Sequence, residues 1–249
     1  MSAQTITQVI TELNAIIVSS QNNNDPLGYF AALYQKVTTK VKEGIDEGTF
    51  EDGPRMEQLD VIFANRYLDA YKAFQDQTTV TECWQEAFEM STQYWPIVLQ
   101  HLLIGMNAHI NLDLSIAAAQ VMEGKDIHTL KNDFDKINEI LSALVAEVEE
   151  DLSAIWPTLK KLLMWSQKVD DFLIDFSMEL ARNGAWEFAV ALSKLEGEAL
   201  NKAIQARDFK VAKKGRIIKP SGFIATIILR IIRIGEQGTV GEKIGKMLG

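Results

Sequence analysis

The stretch QHLLIGMNAHINLDLSIAAAQ, Gln100–Gln120, decides how this chain is to be read. It is almost free of charge and mostly apolar, yet it carries His101, Asn107, His109, Asn111 and Asp113. Its apolar residues recur at three- and four-residue steps with no sustained alternation at two, which predicts a buried helix. At 3.6 residues per turn, Gln100, Asn107, Asn111 and Ser115 fall within about 60° of one another. His109 and Asp113, four apart, project to roughly the opposite side, with Gly105 one turn before them. The helix therefore has an amide stripe and a separate acid-base face, and Gly105 is expected to leave room beside the imidazole.

The same periodicity runs through the rest of the chain, so the expected class is all-α, a single bundle-like domain. A first short helix is expected over residues 4–18, broken by SSQNNNDP, with Pro26 opening the second and EGTFEDGP ending it. The third, from about Pro54 to Gln75, is apolar nearly all round, which marks it as central and leaves Asp60, Asn65, Arg66 and Asp69 in need of partners. A short helix over 81–93 follows, and Pro96 opens the long helix that holds the quoted stretch. After EGKD, residues 127–155 carry a clean stripe through Phe134, Ile137, Leu141 and Leu144, with Asn138 as its polar exception. Pro157 starts a helix bearing Leu162, Val169, Phe172, Phe176 and Leu180. ARNG is expected to punctuate before helices at 184–194 and 197–214. The domain is expected over 1–220, with 221–249 as an apolar and basic helical extension packed on or beside it. GEQGTVGEKIGKMLG lacks the context of a phosphate loop and reads as a flexible end with a short helix.

With 249 residues and 47% hydrophobic content the chain can bury a full core. Cys83 is the sole cysteine, which excludes an internal disulfide, and the N-terminus lacks a secretory pattern, so a reducing cytoplasm is expected. Tyr94–Met122 is long enough to span a bilayer, but one central Asp costs about 2.5–3.5 kcal/mol on insertion scales, which argues against a span. Residues 201–249 hold eleven Lys/Arg against three Asp/Glu, a net of +8, which leaves −17 for residues 1–200 out of −9 overall. A chain this acidic is not expected to bind nucleic acid.

The His109/Asp113 pair has the spacing at which both groups can reach one metal ion, or at which the carboxylate orients the imidazole as acid or base. Two ligands do not complete a metal site; further donors would come from Asp60, Asn65, Asp69, Asp133, Asp135 or Asn138 on neighbouring helices. His101, roughly 12 Å away along the axis, is too far to share the ion. Three readings stay open: a structural polar network, a metal-independent pocket and a divalent metal site. For Asp133 and Asp135 the competing reading is stabilisation by the helix N-terminus.

GMNAHINLDL at 105–114, with MEQLDVIFANRYLDAY at 56–71 and DFDKIN at 133–138, resembles a bacterial family of about 240 residues without an assigned function, close to the 249 here. The resemblance runs over most of the chain and is weakest at both ends. Carried over residue by residue, it marks Asp60, Asn65, Asp69, Asn107, His109, Asn111, Asp113, Asp133, Asp135 and Asn138. It implies where a site lies and names no reaction. The sequence thus supports two expectations. One is an interior pocket in which His109 and Asp113 act as acid-base pair or metal ligands on a small, partly apolar metabolite, with Asp60, Asn65, Asp69, Asn107, Asn111 and Asn138 as substrate-binding groups. The other is a non-enzymatic protein whose FIATIILRIIR segment, within 221–234, covers a partner or lies on an anionic membrane, unless it packs back onto the acidic body.

Overall fold

The computed structural model describes residues 2–156, 178–218 and 222–249. Among these there are eleven α-helices and no strand, which confirms the all-α class. The helix expected from Pro157 lies outside the described residues.

Helix α1, Ile6–Asn23, starts where the Thr5 side chain accepts from the Gln8 N–H and buries Ile6, Val9, Leu13 and Ile17. It runs through the serines and asparagines expected to break it, because Ser20 is buried against α2, Leu27–Asp46; only at Asn24, with φ 52°, does the backbone turn left-handed. Helix α3, Gly53–Gln75, is capped by Asp52 and begins with Pro54 near its first turn. Helix α4, Glu82–Glu89, buries Cys83, Trp84, Ala87 and Phe88.

The quoted stretch forms the axis. Helix α5, Val98–Ala108, passes through one wide π-turn, His109–Asp113, into α6, Leu114–Val121. Its defining bond is Leu114 N–H to the His109 carbonyl, five residues back. One inserted residue rotates everything beyond it by about 100°. Consequently α5 packs on α2, α4 and α9 (Gly197–Gly215), whereas α6 packs on α3 and α8 (Met178–Leu192). Although this axis is long and apolar enough to cross a membrane, 89% of its most apolar window is buried inside the fold. It is a core helix.

Helix α7, Lys131–Ile155, follows a 3-10 turn at Ile127–Leu130. Helix α8 runs straight through the expected break at Ala181–Gly184. Its Ala181, Ala185 and Ala189 form a small-residue seam in the same core cluster as Ala117 and Ala118 of α6, and this packing overrides the turn signal. Arg182 adds an anchor, donating to the Phe134 carbonyl with its guanidinium over the Phe134 ring.

Helix α10, Phe223–Gly235, and helix α11, Val240–Leu248, complete the described elements. Rather than a loose end, α11 begins with a capping box at Thr239 and Glu242 and buries Lys243, Ile244 and Met247 against α1, α2 and α7. Between the two helices, Glu236 accepts from the Val98 N–H at the start of α5, and its other oxygen accepts from Arg233 and the fully buried Lys243. Gln237 N–H bonds the Ile155 carbonyl at the end of α7.

Candidate functional site

The acid-base face of the π-turn is wholly buried: His109 is 3% exposed and Asp113 0%. Asp113 accepts from Arg66 Nε on α3 at 2.7 Å, from Trp84 Nε1 on α4 at 2.8 Å and from His109 Nδ1 at 3.2 Å. Burial alone would raise its pKa, but the His109 bond, the Arg66 charge and the Trp84 donor together hold it below the usual carboxylate range. For His109, burial outweighs the attraction of Asp113 and lowers the pKa, so the ring is neutral. An ionised Asp113 can only accept; the ring hydrogen therefore sits on Nδ1, and Nε2 carries a lone pair.

Among the described residues that lone pair meets no donor, and Nε2 is buried without a hydrogen-bond partner. Aromatic rings surround the imidazole. Phe63 stacks on it at 3.6 Å between centroids and 8° between planes, Tyr34 meets it edge to face at 4.4 Å, and Phe30, Trp84 and Tyr67 stand at 5.8, 5.9 and 6.2 Å. The expected space beside Gly105 is filled: a Cβ there would lie 2.5 Å from the Phe30 ring. What remains is a cavity of about 20 Å³ lined by Phe30, Tyr67, Trp84, Phe88, His101 and Gly105, room for one water molecule. His101 is buried there beside Tyr29, and its pKa is pushed down to about 3 by burial and then by Arg233 and Lys243.

Asp60 belongs to the same region. It lies one turn before Phe63 on α3, while Thr38 lies one turn after Tyr34 on the antiparallel α2, so both sit on the loop side of the His109 layer. Asp60 Oδ2 is buried without a hydrogen-bond partner among the described residues. Burial, with Glu57 adding repulsion, lifts the Asp60 pKa to about 7.

The other expected site residues go elsewhere. Asn65 ties down the N-terminal segment, accepting from the Ala3 N–H and donating to the Ala3 carbonyl, both at 2.8 Å. Asp69 is exposed on α3 and Asn138 half-buried on α7. Asp133 accepts from Glu51 N–H, Asp52 N–H and Arg55, clamping the loop between α2 and α3, and Asp135 pairs with Lys131 on its own helix.

The amide stripe is cement. Asn107 Nδ2 donates to the Val211 carbonyl and Gln100 Nε2 to the Ile218 carbonyl, both at 2.9 Å, while Asn111 donates to Asn107 Oδ1. Ser115, beyond the π-turn, leaves the stripe, and its Oγ makes no hydrogen bond among the described residues. The metal reading gains no support: among the described residues no three His, Cys, Asp or Glu side chains converge, and Asp113 is already engaged by three donors. Sequence reasoning missed Trp84, Tyr34, Phe63 and Arg207, whose Nε donates to the Asn111 carbonyl in the π-turn. No spacing rule links them to His109, because they come from separate helices.

A second feature lies on the surface. Ile227, Ile231 and Ile234 of α10, at steps of four and three, are 40%, 58% and 75% exposed, while Ile232 is buried and Ile228 and Leu229 pack on the core. Arg230 lies over the Trp95 ring and Arg233 over the Tyr94 ring, and both rings are exposed.

No curated protein and no solved structure matches the chain. Residues 6–220 match the family of unknown function DUF5995, a span that takes in α1 to α9 with the whole His109 region and ends before α10. The match covers well over half of the sequence, and the chain belongs to that family.

Proposed function

We propose that this chain binds a small, partly apolar molecule at His109, with Nε2 taking a hydrogen bond or a proton from the guest. One observation carries the reading: Nε2 is a lone pair buried without a donor, on a ring whose tautomer is fixed through Asp113 by Arg66 and Trp84. An imidazole oriented by a carboxylate is the arrangement of a general base. The aromatic walls select an apolar body, and Nε2 requires at least one donor on it. Space comes from the Phe30 ring, which occupies the place beside Gly105 and borders both the small cavity and His109. A guest larger than water enters as that ring turns aside. Asp60, whose buried carboxyl holds a proton below about pH 7, is the complementary acid. The protein works in the cytoplasm and needs no metal for this role.

The test is 15N NMR of histidine-labelled protein titrated with small phenols, indoles and aliphatic alcohols, with Trp84 emission followed in parallel. Binding shifts the His109 Nε2 resonance upfield from that of an unpaired acceptor, and His109→Phe, which keeps a ring in place, no longer binds. If no compound moves that resonance in the wild-type protein, the pair is a structural network and the proposal fails.

A further inference from the structure

We infer that the outer face of α10, together with Tyr94 and Trp95, is a docking surface for an anionic lipid bilayer. Ile227, Ile231 and Ile234 are exposed together on one helix face, and a grouped apolar stripe of this kind marks an interaction surface where scattered exposed residues would not. The opposite face of the same helix is used, through Ile228, Leu229 and Ile232, to seat it on the core. Ile227, Ile231 and Ile234 therefore form a stripe presented outward on a fixed support.

Charge identifies the occupant. Residues 210–235 contain seven Lys/Arg and no Asp/Glu, whereas residues 1–200 carry −17. Glu236, the next carboxylate along the chain, has a buried side chain and pairs with Arg233 and Lys243, and Glu86 pairs with Arg216, so Arg230 carries the open charge of the exposed face. Arg230 sits in the exposed stripe itself, with its guanidinium 4.8 Å from the centre of the Trp95 ring. A tyrosine and a tryptophan beside arginines at the rim of an apolar stripe match the layers of a bilayer interface: acyl chains for isoleucine, the headgroup boundary for the rings, lipid phosphates for the guanidinium groups. The excess of acidic residues over 1–200 favours an approach to an anionic surface through the basic C-terminal part. This surface is separate from the His109 region, and either proposal can fail alone.

Truncation is the wrong test, because residues 221–249 include the buried Ile232, Ile244 and Met247 and the charge pair of Glu236 with Lys243. The experiment uses the full chain, sedimented with vesicles of phosphatidylcholine alone or with about a third phosphatidylserine, at low and high salt, beside a triple variant I227S/I231S/I234S. The expected result is binding to the phosphatidylserine vesicles only, a blue shift of Trp95 emission that is absent in Trp95→Phe, release by high salt, and a loss of at least about tenfold in the triple variant. Circular dichroism confirms that the triple variant is folded. Absence of binding to the anionic vesicles overturns the proposal, as does binding that the folded triple variant retains. A concentration-dependent dimer that the triple variant abolishes, without vesicle binding, assigns the face to a second copy instead.

Discussion

Asp60→Asn is expected to stabilise the protein, and to do so only as the pH rises. Asp60 is buried, Oδ2 has no hydrogen-bond partner, and the carboxyl holds its proton up to about pH 7 in the folded state against an ordinary value of 3.8. A folded pKa above the unfolded one means that the folded state binds the proton more tightly. The associated stability is complete below pH 4, is lost as the pH climbs from about 4 to 7, and changes no further above that. Each pH unit in the interval removes about 1.4 kcal/mol, so the whole penalty is roughly 4 kcal/mol at pH 8. That is a large part of the 5–15 kcal/mol typical of a native domain. Asparagine removes the ionisation at nearly constant volume. Urea unfolding of both proteins at pH 4 and pH 8 gives the measure: the variant's advantage should grow by several kcal/mol between the two. A difference that is the same at both pH values would refute the assignment of Asp60 as an unpaired buried acid.

Two further substitutions probe the same region. Arg66→Met removes the charge that faces Asp113 and leaves a buried carboxylate with His109 and Trp84 only; with Arg66 itself 28% exposed, a loss of about 3 kcal/mol in urea unfolding at pH 7 is expected. Gly105→Ala sets a methyl 2.5 Å from the Phe30 ring, and overpacking of this kind costs about 1–3 kcal/mol, read as a melting temperature lowered by several degrees and a change in Trp84 emission.

The helical class was legible because its signal is local: apolar spacing survives in any window long enough to show it. The amide stripe was legible as a face for the same reason, since Gln100, Asn107 and Asn111 share one helix; that Gln100 and Asn107 are spent on the Ile218 and Val211 carbonyls rather than on a substrate was not, because those partners lie more than a hundred residues away. Two breaks were misjudged, at SSQNNN and at ARNG, where buried Ser20 and the seam of Ala181, Ala185 and Ala189 supply tertiary support that no propensity records. The π-turn was invisible, because a straight projection assumes constant pitch, and it moved Ser115 off the stripe it shares on paper. Gly105 misled in a different way. The space beside a glycine is real, but only the fold shows that Phe30, some seventy-five residues earlier, already fills it.

The bond from Gly241 N–H to Asn24 Oδ1 joins positions 217 residues apart, and a Cβ at Gly241 would lie 2.5 Å from the Gln21 carbonyl. Helix α11 thus closes over the α1–α2 corner, while Glu236 caps the start of α5. On a ribosome, the first hairpin and the N-terminal end of the axis are made long before the residues that cover them. The α1–α2 pair must wait with Gly28 and its neighbours open to water, and the Val98 N–H must wait without its cap. Final consolidation is therefore a late, long-range event, and a nascent chain stalled before residue 236 presents an apolar seam to whatever chaperone attends it.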